Sequence, residues 1–443
     1  MLRLLPLLAA ILFTVLPATA QTIDQRIDRE LPSLIQTYQS LHAAPELSMQ
    51  EQKTSSLVAG RLRDLGYEVT ERVGKYAEPG VTCYGVVAVM KNGAGPVVLL
   101  RTDMDALPVA EQTGLPYAST VTAKPSSTDG TAGETSVMHA CGHDLHMTAL
   151  MGTAKLLADM KSQWHGTVVL IGQPAEEVVK GAAAMLRDGL YERFPKPTYA
   201  LAVHDSATIE AGKVGFTPGY ALAASDSIGI TVRGVSGHGA SPQSTKDPIV
   251  LASEIVIALQ TIVSRENNPL DPVVVTVGSI HGGTKSNIIP DEVKLALTVR
   301  TYKPEVRQRV LASIERIAKG TAIAAGIAED RMPIVSVVGD STPATYNDPA
   351  LTQRVAAAVG KVIGEKNMVQ ADPLMASEDF ARYSLDRTLP AVMLSVGAAD
   401  PAKIASGAAL PSLHSSRFAP TPVDLVLRRA IETEVAMVVD LLK

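Results

Sequence analysis

Only two cysteines, Cys83 and Cys141, occur in 443 residues, so the chain is no disulfide-rich scaffold. A basic excess is also missing. The net charge is −5 with 19% charged residues, which argues against a nucleic-acid partner and leaves substrates to be recognised by local groups. Internal repeats are absent from the sequence. The apolar run at residues 4–16 is too short for a membrane span. Arg3 precedes it, and Pro17-Ala-Thr-Ala20 follows with small residues, so residues 1–20 read as a secretory signal. The expectation is an exported, periplasmic or extracellular protein with no stable membrane insertion after signal removal; a short membrane anchor is the alternative. In an oxidising compartment the two cysteines could pair. Cys141 lies among histidines, however, whereas Cys83 precedes an apolar strand, which favours Cys141 as a metal ligand.

The length exceeds one ordinary core and implies two domains, and 46% hydrophobic residues supply enough to fill them. Hydrophobic spacing predicts helices over residues 24–39 and 54–65, the second ending at Gly66. Residues 85–90 and 96–101 read as strands around an Asn92-Gly93 turn, 148–160 as a helix, 167–171 as a strand, 181–187 as a helix and 199–203 as a strand. This alternation predicts an α/β sheet whose sites lie beyond the carboxyl ends of its strands. From Tyr220 the rhythm changes to strand 226–233, helix 247–263, strands 273–279 and 292–301, helix 306–325 and strand 334–338. The order βαββαβ is the ferredoxin-like pattern. It divides the mature chain into a catalytic first part, 21–219, an inserted lid or dimerisation domain, 220–338, and a catalytic second part, 339–443.

The densest chemistry is His139-Ala-Cys-Gly-His-Asp-Leu-His146, three imidazoles, a thiol and a carboxylate in one short stretch. Thiolate and imidazole ligate zinc and its neighbours, but a stretch this short needs further ligands from elsewhere. Gln173-Pro-Ala-Glu-Glu177 follows a predicted strand directly. There, one carboxylate can bind metal while the other moves a proton. Arg101-Thr-Asp-Met-Asp105 places two carboxylates at another strand end, where they could orient ligand histidines. His204 ends a strand, and His414 lies in Leu413-His-Ser-Ser-Arg-Phe418. Each of these histidines taken alone reads as an ordinary surface or core residue.

His42-Ala-Ala-Pro-Glu-Leu-Ser48, Asp103-Met-Asp-Ala-Leu-Pro108, Met138-His-Ala-Cys-Gly-His-Asp144, Gln173-Pro-Ala-Glu-Glu177, Ser286-Asn-Ile-Ile-Pro-Asp291, Ser377-Glu-Asp-Phe380 and His414 follow in that order. Together they resemble the amidohydrolase branch of the aminoacylase and glutamate carboxypeptidase metallopeptidases, which includes hippurate hydrolase and indoleacetyl-amino-acid hydrolase. The resemblance implies two divalent metal ions (zinc, nickel, cobalt or manganese) held by Cys141, His143, Glu177, His204 and His414, with Glu176 as general base. It implies orienting roles for Asp105 and Asp144, and a homodimer in which His238 of Gly237-His-Gly-Ala-Ser-Pro242 stabilises the oxyanion, often across the subunit boundary. Asn287 and Arg300 would hold the substrate's free carboxylate. His42, His146, His165 and His281 are not expected among the ligands.

The activity so implied is hydrolysis of the amide of an N-acyl amino acid. Alternatives are a metallo-carboxypeptidase or dipeptidase acting on short peptides, and a non-catalytic exported binding protein. A serine hydrolase is disfavoured because Gly234-Val-Ser-Gly-His238 fails the G-x-S-x-G spacing. Two departures from the family pattern, a longer loop at 124–136 and Ser415-Ser416 after the last histidine, lie where they would alter the pocket rim.

Overall fold

The computed structural model describes residues 22–126 and 133–443. The expected signal segment and the middle of the 124–136 loop therefore lie outside the described residues.

An eight-stranded mixed sheet runs in the order Glu68–Glu71, Val86–Asn92, Gly166–Gln173, Val97–Asp103, Tyr199–Glu210, Ala391–Ala399, Val214–Phe216, Met368–Gln370. Gly166–Gln173, Val97–Asp103, Tyr199–Glu210 and Ala391–Ala399 are mutually parallel, while Val86–Asn92 and Glu68–Glu71 join antiparallel at one side. Parallel strands linked by helices are covered on both faces, and every residue of Gly166–Gln173 is buried accordingly. Alternate side chains feed two cores. Val86, Ala88, Val98 and Leu100 share one core with the helices Ile23–His42, His143–Asp159, Pro349–Ile363 and Val423–Leu441. Val87, Val89 and Leu99 face Gly181–Arg187, Leu190–Arg193 and the turn Asp379–Ser384.

The segment that follows forms its own four-stranded, wholly antiparallel sheet, ordered Val273–Gly282, Glu292–Thr301, Ala224–Arg233, Ile334–Val337. Its helices Pro248–Thr261 and Pro304–Ala324 cover one face around a separate core that includes Ile230, Ile255, Leu297 and Ile314. Both helices carry Pro in the first turn, and the Asp247 side chain caps the first by accepting from the amides of Ile249 and Val250. With a π-helical turn over Ile262–Glu266, the stretch Pro248–Glu266 is long and apolar enough to match a membrane span by length and composition, with 33% of the window buried.

One reading shifts, and the structure adds what the spacing left open. Val86–Asn92 and Val97–Asp103 do flank a turn at Gly93, φ 82°, but they are not hydrogen-bonded neighbours, because Gly166–Gln173 lies between them. The helix expected from 148 begins at His143, after Gly142 at φ 76°. Its first turn is polar yet buried, so the apolar spacing is silent there. Beyond Ser341 the structure adds the central strand Ala391–Ala399 and the helices Pro349–Ile363 and Val423–Leu441, none of which was read from sequence.

Candidate metal centre

Three chemical segments meet at the carboxyl ends of the parallel strands. Val97–Asp103 delivers Asp103 and Asp105, Gly166–Gln173 delivers the Glu176-Glu177 turn, and Tyr199–Glu210 carries His204. Cys141 and His143 come from the start of the helix beside them. Gly142 between the two has a left-handed backbone, and a Cβ there would lie 2.3 Å from the Asp205 carboxylate. The backbone N–H of His414 donates to Ala140 O at 2.8 Å, which pins a segment from far along the chain next to Cys141.

The donor atoms converge. His414 Nε2 is 3.3 Å and His204 Nε2 3.7 Å from Cys141 Sγ. His414 Nε2 is 3.4 Å from Glu177 Oε2, and His143 Nε2 is 3.8 Å from Glu177 Oε1. Two sets, Cys141 with Glu177 and His414, and His143 with Glu176 and Glu177, each keep their donor atoms within 4.8 Å of one another. A third set contains Asp103, His143, His146 and His204. His146 is spoken for in it, since Nδ1 bonds Asp103 Oδ1 at 2.8 Å and Nε2 accepts the Asp205 amide at 2.9 Å.

The residues fit metal ions on physical grounds. His143 Nδ1 donates to the Asp105 carbonyl at 2.7 Å and His204 Nδ1 to the Asp205 carbonyl at 2.7 Å, so each ring turns an Nε2 lone pair inward. His143 Nε2 and Glu177 Oε1 are buried without a hydrogen-bond partner, a costly state that a cation relieves. Burial works against a charged His143, yet Asp103, Asp105 and Glu177 outweigh it and push its pKa up to about 10. That much negative potential is what divalent ions would neutralise. Thiolate, imidazole and carboxylate donors together suit a dinuclear centre of zinc, nickel, cobalt or manganese.

Glu176 stands beside this set, 6% exposed, with its amide held by Asp105 Oδ1 at 3.0 Å. Burial, then the carboxylates of Glu378, Glu177 and Asp379, raise its pKa well above the usual carboxylate range. Asp105 holds the turn directly: its carboxylate accepts from the amides of Glu176 and Glu177 and from Ser48 Oγ at 2.5 Å. Asp144 does not act likewise. Its oxygens take His42 Nδ1 at 2.7 Å and the Leu145 amide at 2.9 Å, and no donor of the cluster. The helix start turns Asp144 away from the metal donors, toward the buried His42, whose Nε2 meets Glu111 at 3.0 Å.

The inserted segment's residues are placed differently. Arg300 reaches out of the four-stranded sheet, where Nη1 donates to Ser377 Oγ at 2.6 Å. His238 is exposed on a two-residue ribbon paired with Ile288–Ile289, next to Asn287, whose carbonyl accepts the Gly239 amide at 2.9 Å. Neither His238 nor Asn287 belongs to the donor clusters. Cys83 and Cys141 are both free, and Cys83 packs against Met49 and Tyr76.

Sequence reasoning missed the network beneath the site. Arg101, 2% exposed, bonds Asp103 at 2.5 Å, Gln173 at 3.0 Å and Glu378 at 2.8 Å. Asp379 takes Gln173 Nε2 at 2.6 Å and the Ala182 amide at 3.0 Å. Glu51 Oε1 accepts the Met49 and Ala175 amides, fixing Ala175 at φ 53° just before the glutamates. The available signal was Ser377-Glu-Asp-Phe380, quoted for the resemblance but given no role.

Fold and donors together define a metal-dependent hydrolase of the peptidase type. The chain belongs to peptidase family M20/M25/M40, which matches residues 99–413. It is 39% identical over 345 residues to hippurate hydrolase of Campylobacter jejuni, covering 77% of this chain and 82% of that protein. It is 34% identical over 387 residues to thermostable carboxypeptidase 1 of Saccharolobus solfataricus, covering 87% and 90%. The solved structure of the Bacillus subtilis YXEP protein, described as a dinuclear metal-binding peptidase of the M20 family, superposes with a TM-score of 0.72 at 28% identity, over 93% of this chain and 99% of that one.

Proposed function

We propose that this chain hydrolyses the amide bond of N-acyl amino acids bearing a free carboxylate. The observation that carries the reading is the pairing of the donor cluster with Arg300, which reaches the Ser377 side of that cluster from the inserted segment. Cys141, His143, Glu177, His204 and His414 would hold the two ions. When bound, these supply polarisation of the scissile carbonyl and a lowered water pKa. Glu176 takes the proton of the attacking water and returns it to the leaving nitrogen. Arg300 and Asn287 hold the substrate carboxylate, for which a planar and permanently charged guanidinium is suited. Hippurate, the substrate in the name of one relative, is an N-acyl amino acid, which supports the choice.

Glu176→Gln is expected to retain metal while losing turnover by about a thousandfold or more, read by metal analysis and single-turnover kinetics. Retained turnover with full metal removes Glu176 from the base role. The second reading, a carboxypeptidase or dipeptidase on short peptides, has the thermostable carboxypeptidase relative in its favour. Comparing an N-acyl amino acid with the matched dipeptide separates the two, and tight binding of either without hydrolysis by metal-loaded protein points instead to a binding protein.

The same reading divides the chain into 21–219 with 339–443 as the catalytic unit and 220–338 as a ferredoxin-like lid and dimerisation unit. Its support is the separate core of the inserted sheet and the exposure of Ile257, Ile280, Ile334 and Val337 on that unit. In a homodimer, exposed His238 would serve the oxyanion of the partner's site. A fully active monomer in sedimentation would exclude this. Export through residues 1–20 is supported by their charged, apolar and small-residue order, and a mature N-terminus elsewhere than near Gln21 counts against it.

A further inference from the structure

His414 is the most exposed of the five proposed donors, with a half-exposed side chain, and it lies in a stretch, 407–422, that forms neither helix nor strand. Its backbone sits at φ 65°, a left-handed value that a side chain disfavours. A conformation of that kind persists only where surrounding structure holds it. Two backbone bonds do so beside the histidine. The His414 amide donates to the Ala140 carbonyl at 2.8 Å, and the Ser416 carbonyl accepts the Gln112 amide at 2.7 Å.

The second of these braces comes from a loop, 108–121, that itself lacks helix and strand. A buried charge fixes that loop. His42, the last residue of the helix Ile23–His42, has its side chain 1% exposed, with Nδ1 2.7 Å from Asp144 Oδ2 and Nε2 3.0 Å from Glu111 Oε1. Ionised carboxylates only accept hydrogen bonds, so both ring nitrogens carry protons and the ring is a cation. Burial works against that charge, yet Asp144 and Glu111 outweigh it and raise the pKa of His42 to about 9. The other bonds of the Glu111 carboxylate stay inside the loop, where it accepts from Thr113 Oγ1 and from the Ser119 amide at 2.6 Å. Tyr117 of the same loop meets the His42 ring in a T-shaped pair with centroids 5.4 Å apart. Buried ion pairs add little net stability over apolar packing, and fixing register is their best-attested use. Here the bonds run from Asp144, next to His143 at the helix start, through His42 to Glu111, and from the neighbouring Gln112 to Ser416, two residues from His414.

We propose that His42 is a positioning residue for the metal ion on the Cys141 and His414 side: as a buried cation it ties Asp144 to Glu111, and through the Gln112–Ser416 bond it sets where His414 stands relative to the helix that carries His143. The inference rests on the assignment of His414 as a ligand. It does not depend on which amide the metal centre cleaves.

Stepwise chelator competition on the metal-loaded protein, with cobalt substitution to read the thiolate-to-cobalt absorption of Cys141, tests it. His42→Ala is expected to weaken one of the two ions by about tenfold to a hundredfold, the usual cost of losing a group that orients a ligand. Its thiolate-to-cobalt absorption falls at limiting cobalt, while the other ion keeps its wild-type affinity. Glu111→Ala cuts the same link while His42 stays paired with Asp144; it is expected to lose the same ion, and it decides the matter if His42→Ala does not fold. Equal weakening of both ions, as for a residue that only supports the fold, overturns the proposal, and so does no weakening of either. His414→Ala keeps the two readings apart. Unchanged binding there removes His414 from the donors and this proposal with it, whereas loss of one ion there without loss in the His42 and Glu111 variants overturns the proposal alone.

Discussion

Every residue of Gly166–Gln173 is buried, whereas Glu292–Thr301 exposes Glu292, Lys294 and Ala296 and buries the residues between them. The first strand lies in a sheet clad on both faces and has no side chain left to meet a partner. Its chemistry is displaced to its end, where Gln173 and the two glutamates begin the site. The second lies in a sheet clad on one face, so its alternate positions and outer surfaces stay available. Arg300 leaves that sheet to meet Ser377, and exposed Ile280, Ile334 and Val337 remain outside its core. One sheet therefore carries the donors at its strand ends, and the other keeps one face uncovered by its own helices.

That separation can be broken by emptying each core in turn. Leu170→Ala in the central strand and Leu297→Ala in the inserted sheet each remove a buried side chain, at a cost of about 2–5 kcal/mol. Leu170→Ala is expected to lower both thermal stability and bound metal, because its strand leads into the Glu176-Glu177 turn. Leu297→Ala is expected to lower stability while leaving metal stoichiometry at the wild-type value. Equal metal loss in both, measured by elemental analysis alongside thermal melts, would make the two cores one unit.

A smaller effect sharpens the division between donors and recognition. Arg300→Met is expected to raise KM by about tenfold to a hundredfold, the worth of a charge-assisted hydrogen bond, with kcat within about threefold. A fall in kcat at unchanged KM would instead place Arg300 among the groups that act in the transition state.

The uneven legibility of the sequence follows from the same physics. Val86–Asn92 and Gly166–Gln173 are runs of apolar residues, and Glu292–Thr301 alternates cleanly, so the elements were readable and the last strand's limits matched to the residue. The neighbours of Val97–Asp103 were not readable, since a strand inserted from residue 166 is a long-range choice that local turn chemistry does not encode. The five proposed donors were read from motif order, and the structure brings them together. The support beneath them was read less well. The resemblance implied an orienting role for Asp144, yet successive residues of a helix face different ways, and its carboxylate meets His42. Arg101 was seen beside Asp103, but its bond to Glu378 and that of Glu51 to the Ala175 amide join distant segments that no spacing announces.

Covering a sheet twice also traps polar groups, which gives the finest contrast between the two regions. In the inserted unit the buried Asp226 is held by Arg307 through two nitrogens. Beside the eight-stranded sheet, Glu434, 1% exposed on the helix Val423–Leu441, has no such ion pair among the described residues. Burial, offset only in part by Thr153 and His146, pushes its pKa up to about 8. An unfolded glutamate titrates near 4.3, so between about pH 4 and 8 the folded chain holds a proton that the unfolded chain has released. Stability must then fall as pH rises through that window, with the loss complete above about pH 8. Glu434→Gln removes the titration. Its melting temperature is expected to match the wild type near pH 4 and to exceed it at pH 8.5, by roughly 2–4 °C for each kcal/mol recovered. A difference that is the same at both pH values would mean that Glu434 is paired and that the doubly covered sheet buries its carboxylates as carefully as the inserted one does.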